Sequence, residues 1–219
     1  MVETVTAMGI VMSAMPMGEY DKRVVLLTKQ FGKITAFARG ARRPTSQFLS
    51  GTQPMSFGEF TMYRGRNSYT ITNVKVTEYF GGEMTDINKM YMGMYFLEMA
   101  DYYGRENIDA TETLRLLNQS LRALLKPSVP NRLVKPVYEL KLMEINGEYR
   151  ELPLGRLNDS TLYAWQYVLA APVESLYTFT LTDQVLGEFV RCVEQNKERF
   201  IDKTFHSLDI LNAVMDNAT

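Results

Sequence analysis

The sequence contains a single cysteine, Cys192, among 219 residues, so no internal disulfide can form and neither a four-cysteine nor a mixed Cys/His zinc site can be assembled. Its one histidine, His206, opens a short helical pattern, and the neighbouring Asp202 and Asp209 have no credible nucleophile to serve. A catalytic triad is therefore missing, and so are the Walker loop, the dinucleotide fingerprint and the zinc-hydrolase motif. No uncharged apolar run approaches the ~20 residues a bilayer span requires, and the N-terminus lacks the charged-then-apolar layout of a signal peptide. These absences point to a reduced, cytoplasmic protein that is not an enzyme and needs neither cofactor nor metal, and they leave no membrane partner.

Acidic residues are scarce in one stretch. Residues 29–77 hold eight Lys/Arg and one acidic residue, Glu59. Residues 1–82 carry ten basic against five acidic side chains, a net of +5, while the remaining 137 residues carry fourteen against twenty, a net of −6. An asymmetry of this kind suggests that one half meets a polyanion, a solvated basic face being the alternative.

The first segment has the alternation and β-branched content of strands at Thr4–Met12, Lys22–Thr28, Lys33–Arg39, Phe57–Tyr63 and Ser68–Phe80. Breakers fall between them: Pro16 with Gly18, Gly32, Gly40 through Pro44, Gly51 with Pro54, and Gly65 with Asn67. The longest gap, 41–56, has room for a short helix around Ser46–Ser50. Five strands with a helix between the third and fourth is the layout of an OB-fold barrel. Gly81-Gly82 then ends the strand pattern, and helical periodicity follows: Asp86–Tyr103; a helix starting near Asp109, with Glu112 in capping-box position, and stopping before Pro127; Asn131–Asn146, in which Pro136 should kink the helix or mark its first turn; Thr161–Ala170; Asp183–Phe200; and His206–Met215. The expected class is α+β, an OB-fold domain over 1–82 followed by an all-α domain over 83–219.

Within this frame Lys33–Arg39 is the strongest candidate. Alternation places Lys33, Thr35, Phe37 and Arg39 on one face and Ile34, Ala36 and Ala38 on the other. An aromatic ring between cations suits single-stranded nucleic acid, since the ring stacks on a base while the cations follow phosphates. The opposite orientation, with Phe37 inside the barrel, is open. Arg39-Gly40-Ala41-Arg42-Arg43 sets three arginines around a flexible turn, able to clamp phosphates with little sequence preference. The loops expected to close over such a face are 15–21 and 64–68, the second carrying Arg64 and Arg66. Lys22, Arg23 and Tyr69 complete the expected nucleic-acid contacts. Cys192, amid Phe189, Val190 and Val193, reads as a buried structural thiol, and the methionine-rich stretch 84–99 reads as helix core.

As a string, Gly32-Lys-Ile-Thr-Ala-Phe-Ala-Arg-Gly-Ala-Arg-Arg-Pro44 resembles the N-terminal domain of the RecO family, and the likeness extends through Gln53-Pro54, Phe57-Gly-Glu-Phe60, Tyr63-Arg-Gly-Arg66 and Gly18-Glu-Tyr-Asp-Lys22. Tyr138-Glu-Leu-Lys-Leu142 and Ser207-Leu-Asp-Ile-Leu211 fit more loosely. The resemblance implies a bacterial, nucleoid-associated DNA repair and recombination mediator. Such a protein binds single- and double-stranded DNA, anneals complementary strands and, with RecR, helps load RecA onto DNA coated with single-strand binding protein (SSB). By the same analogy the helical domain receives the acidic SSB C-terminal tail, for which Arg122, Lys126, Arg132, Lys135 and Lys141 are the candidate contacts. Many family members carry a four-cysteine zinc motif after the third long helix; here a cysteine-free link, 147–159, stands in its place, and zinc is not carried over. A single-stranded RNA-binding OB protein and a protein–protein adaptor gripping an acidic partner are the alternatives.

Overall fold

The computed structural model describes residues 3–66 and 68–216. Five strands, β1 (Glu3–Met17), β2 (Asp21–Thr28), β3 (Gly32–Ala38), β4 (Ser56–Arg64) and β5 (Tyr69–Tyr79), close into a barrel in the order β1-β2-β3-β5-β4. All pairings are antiparallel except the short parallel one between β3 and β5. This is the OB arrangement expected from the strand spacing.

The barrel closes because β1 serves two neighbours. Its first half, Glu3–Ile10, pairs with β4, and its second half, Gly9–Met17, pairs with β2, with a bulge between Val11 and Ser13. Gly9 stands opposite Gly58 at the crossover. A Cβ at Gly9 would lie 2.8 Å from the Leu27 carbonyl oxygen, and one at Gly58 would lie 2.3 Å from that of Lys75. Only side-chain-free positions allow the strands to curl so tightly. β1 also runs past the break expected at Pro16, which pairs with Lys22 near the end of the hairpin. Proline's fixed φ fits an extended strand, and the ladder there is about to finish.

Alternation decides what fills the barrel. Val24, Leu26, Ile34, Ala36, Ala38, Phe60, Met62 and Ile71 form its buried core. Between β3 and β4 the short helix expected around Ser46–Ser50 is absent. The segment is a succession of turns, with Leu49 N donating to Ser46 O and Gln53 N to Ser50 O, while the Ser46 hydroxyl accepts from Phe48 N. Side-chain capping of this kind competes with a helical ladder.

Helices follow at α1 (Phe80–Glu83), α2 (Ile87–Tyr103), α3 (Thr111–Leu125), α4 (Asn131–Ile145), α5 (Asp159–Ala170), α6 (Asp183–Phe200) and α7 (His206–Asp216). The starts of α2, α3, α5 and α6 are set by side-chain caps: Asp86 accepts from Asn88 N, Asp109 from Thr111 N, Asn158 from Ser160 N and Thr182 from Val185 N. α4 begins at Asn131 and continues through Pro136, so the proline lies inside the helix and not in its first turn.

The chain divides into two compact units, Met1–Leu114 and Arg115–Thr219. The first contains the barrel together with α1, α2 and the connection to α3. That connection lies along the β2–β3 hairpin: Lys33 N donates to Arg105 O (3.0 Å), Asn107 N to Phe31 O (2.9 Å) and Ala110 N to Lys29 O (3.0 Å). Gly32, at φ +64°, makes this approach possible, since a Cβ there would sit 2.1 Å from the Arg105 oxygen. The second unit packs its helices around Tyr138, Trp165 and Phe189, all fully buried. The link after α4 is held in this unit by Asn196, which accepts from Arg150 N and donates to Glu148 O, and by Trp165, whose indole N–H donates to Arg150 O.

Candidate nucleic-acid interface

β3 resolves the orientation question left by its alternation. Ile34, Ala36 and Ala38 are buried, so Lys33, Thr35 and Phe37 face outward, each half-buried. Arg23 stands directly opposite Phe37 across the β2–β3 ladder, and its guanidinium reaches the Thr35 hydroxyl at 3.5 Å. Beyond the strand end, Arg39, Arg42 and Arg43 are all exposed.

The arginine turn is built together with the β1–β2 turn. Arg42 N donates to Tyr20 O, and one Arg42 guanidinium nitrogen donates to both Gly18 O and Glu19 O at 3.1 Å. Asp21 accepts from Gly40 N at 2.7 Å, and the Arg43 guanidinium lies over the Tyr20 ring, 5.0 Å from its centre. Neutral carbonyls and a ring hold these cations in place without cancelling their charge. Among the described residues no ion pair involves Arg23, Arg39, Arg42, Arg43 or Arg66.

Three of the expected contacts are buried or already paired. Lys22 is 8% exposed, and its Nζ donates to the Thr52 hydroxyl at 3.1 Å. Burial, reinforced by the charge of Arg42, holds its pKa below the ordinary lysine value. It is a cation enclosed at the barrel end and is not on the exposed face. Lys33 does face outward, but its Nζ pairs with the Asp101 carboxylate at 3.3 Å and donates to the Asp101 backbone oxygen at 2.9 Å. Tyr69 is 3% exposed and part of the barrel core, its ring tilted against Phe31. The first residue of β5 pairs with Ala36, an inward position, and so it turns inward too. At the other side of the β4–β5 hairpin, Arg66 is exposed, and Arg64 is shared between Glu3 (3.7 Å) and the Phe31 ring (6.0 Å to its centre).

Two exposed side chains near this face were not among the expected contacts. Tyr63 is 48% exposed on β4, and Tyr20 sits under Arg43 in the β1–β2 turn. Outward placement of Tyr63 follows from the burial of Met62 beside it, a signal that the alternation of β4 carries.

In the helical unit, the cations expected to receive an acidic tail are not one open cluster. Lys141 is 7% exposed, donating to Leu169 O at 2.9 Å and pairing with Glu144 at 3.0 Å. Lys135 pairs at 3.2 Å with Glu139, itself fully buried and also paired with Lys197 at 2.8 Å. Arg132 is exposed at 3.8 Å from Asp183, and Arg122, in the last turn of α3, and Lys126, just past its end, are both exposed. The same unit has an open groove of about 700 Å³ lined by Tyr163, Tyr167, Thr178, Phe179 and Leu181, with Asp159 as the one charged side chain among its described lining residues. Such a groove offers an acidic tail apolar surface but no cation.

Two family models match the chain: "Recombination protein O N terminal" over residues 1–80, and "Recombination protein O C terminal" over residues 84–152. Among similar curated proteins, the DNA repair protein RecO of Alkaliphilus metalliredigens is 33% identical over 139 residues, covering 64% of this chain and 56% of the relative. That of Acetivibrio thermocellus is 23% identical over 239 residues, covering 94% of this chain and 95% of the relative. That of Clostridium novyi is 30% identical over 129 residues and 50% of its own length, so the matches at higher identity span about half of those relatives.

Proposed function

This chain belongs to the RecO family of DNA repair proteins, and from that premise we propose that it is a non-enzymatic mediator which binds DNA on its barrel and anneals complementary strands. The observation that carries the reading is the double turn at one end of the barrel. Arg42 fastens the β1–β2 turn through two carbonyls, while Arg39 and Arg43 stay exposed and free of ion pairs among the described residues. Fixed, solvated guanidinium groups exchange condensed counterions for phosphates, which gives affinity that falls steeply with salt and depends little on sequence. Neutralising phosphate repulsion lets two strands approach while their bases remain available for pairing.

By family analogy the mediator acts with RecR on SSB-coated single-stranded DNA and assists the loading of RecA. In this division of labour the barrel segment, 1–82, holds DNA and the helical segment, 83–219, meets protein partners. Of the candidate cations Lys126, exposed just past the end of α3, is better placed for an acidic SSB tail than Lys135 and Lys141, which are already committed to carboxylates.

Strand annealing of SSB-coated complementary oligonucleotides, with and without the protein, tests the activity directly. The assignment of the arginine turn is tested by the Arg39→Ala/Arg43→Ala double variant on single-stranded DNA. Its log–log salt slope is expected to shrink by about 1.4, roughly 0.7 for each phosphate no longer neutralised. An unchanged affinity and slope removes the arginine turn from the interface.

A further inference from the structure

The register around the barrel sets five outward side chains in one lateral row. Met15 on β1 pairs with Arg23 on β2, Arg23 with Phe37 on β3, Phe37 with Thr70 on β5, and Thr70 with Tyr63 on β4. Directly paired residues share a face of a sheet. Exposure agrees: Met15 is 59% and Tyr63 48% exposed, Arg23 is exposed, and Phe37 and Thr70 are half-buried. The row contains no acidic residue. The row beside it presents hydroxyls, with the Thr6 side chain donating to that of Thr61 and Thr72 donating to the Thr61 carbonyl.

Phe37 and Tyr63 are two strands apart in this row, about 10 Å at the usual interstrand spacing. A duplex buries the faces of its bases within its own stack and offers such rings only its backbone. A single strand can lay one base on each ring and turn a phosphate toward Arg23 between β1 and β3. A path along one strand would meet only one of the two rings.

We propose that the Arg23–Phe37–Thr70–Tyr63 row is a stacking track specific to single-stranded DNA, which crosses the barrel strands laterally, with Tyr63 as a base-contacting residue. The track rests on the DNA-binding reading above, but it differs in chemistry from the arginine turn. Rings on the track supply discrimination between single strands and duplex, and the turn supplies charge for both.

The test uses the full chain, oligo(dT) and a duplex of equal length, with the variants Tyr63→Leu, Tyr63→Phe and Phe37→Leu. All three substitutions lie on the outer face, and thermal unfolding checks that the fold is retained. Tyr63→Leu and Phe37→Leu are each expected to weaken oligo(dT) binding by roughly 5- to 100-fold, the range for removing one base–ring stack, with duplex affinity and the salt slope unchanged. Tyr63→Phe keeps wild-type binding, because the ring and not the hydroxyl does the stacking. Unchanged oligo(dT) binding in Tyr63→Leu, or an equal loss on duplex, overturns the track and leaves the DNA-binding reading standing. A parent protein that binds neither substrate at low salt overturns both.

Discussion

On the barrel, Arg23, Arg39, Arg43 and Arg66 present their charge to solvent with no ion pair among the described residues, whereas in the helical unit Lys135 and Lys197 close on the buried Glu139 and Lys141 closes on Glu144. Cations are used in opposite ways in the two regions. Carbonyl oxygens and aromatic rings orient the barrel cations, as with Arg42 on Gly18 and Glu19 and Arg43 over Tyr20, and a neutral partner leaves the charge available to a polyanion. Carboxylates hold Lys135, Lys141 and Lys197, and there the charge is consumed within α4 and in fixing α4 against α6. Net charge by region, +5 and −6, hints at this contrast, but the partner of each cation is what establishes it.

The contrast can be broken most forcefully at Glu139. Glu139→Gln leaves two lysines facing a neutral, fully buried side chain, and is expected to lower the unfolding free energy by about 3 kcal/mol in urea titration. DNA affinity of the folded fraction should stay within about twofold. At the barrel, Arg42→Ala removes both bonds to carbonyls and one free charge, with an expected loss of about tenfold in DNA affinity at moderate salt. Arg42→Lys should restore the salt slope but not the full affinity, since the guanidinium nitrogen that donates to both Gly18 O and Glu19 O is gone.

Lys22 sharpens the comparison, because it is a barrel cation treated like a core residue. Its folded-state pKa lies below the 10.5 of the unfolded chain, mainly through burial. Between those two values the unfolded state binds more protons, so stability rises with pH across that alkaline window and is flat below it. Unfolding free energies measured from pH 8 upward should show this rise in the parent and lose it in Lys22→Met, with DNA binding near neutral pH almost unaffected. The smallest effect is expected at Lys33. Lys33→Ala should change DNA affinity by less than about twofold and leave the salt slope in place, because Asp101 already holds that charge.

Much of this arrangement was legible in the sequence, for identifiable reasons. β-branched alternation separated by Gly and Pro yields the five strands, and the strict alternation of Lys33–Arg39 fixes one outward face once the alanines are assigned to the core. Helix starts were readable from Asp86 and Asp109, whose side chains cap locally. What escaped depends on partners distant in sequence. Nothing near Lys33 announces Asp101, and nothing near Lys22 announces Thr52. Tyr69 lies at a strand end, where the facing is set by its pairing with Ala36 and by the irregularity between Thr61 and Met62 on β4. The extension of β1 through Pro16 and the turns in place of a helix at Ser46–Ser50 are likewise decided by pairing and capping that composition does not reveal.

The connection between α2 and α3, laid along the β2–β3 hairpin, has a consequence for the order in which the protein is made. The hairpin leaves the ribosome early, yet Lys33 N, Phe31 O and Lys29 O receive their partners only when Arg105, Asn107 and Ala110 emerge. Until then these groups are satisfied by water, and Gly32 faces an open surface. A nascent chain that ends just after β5 thus carries a barrel with one hairpin unsealed, and the unit matures only when translation has passed the start of α3. Nascent chains arrested before and after residues 105–110 have cleared the ribosome should differ in amide-exchange protection at Lys33, with slow exchange appearing only in the longer one.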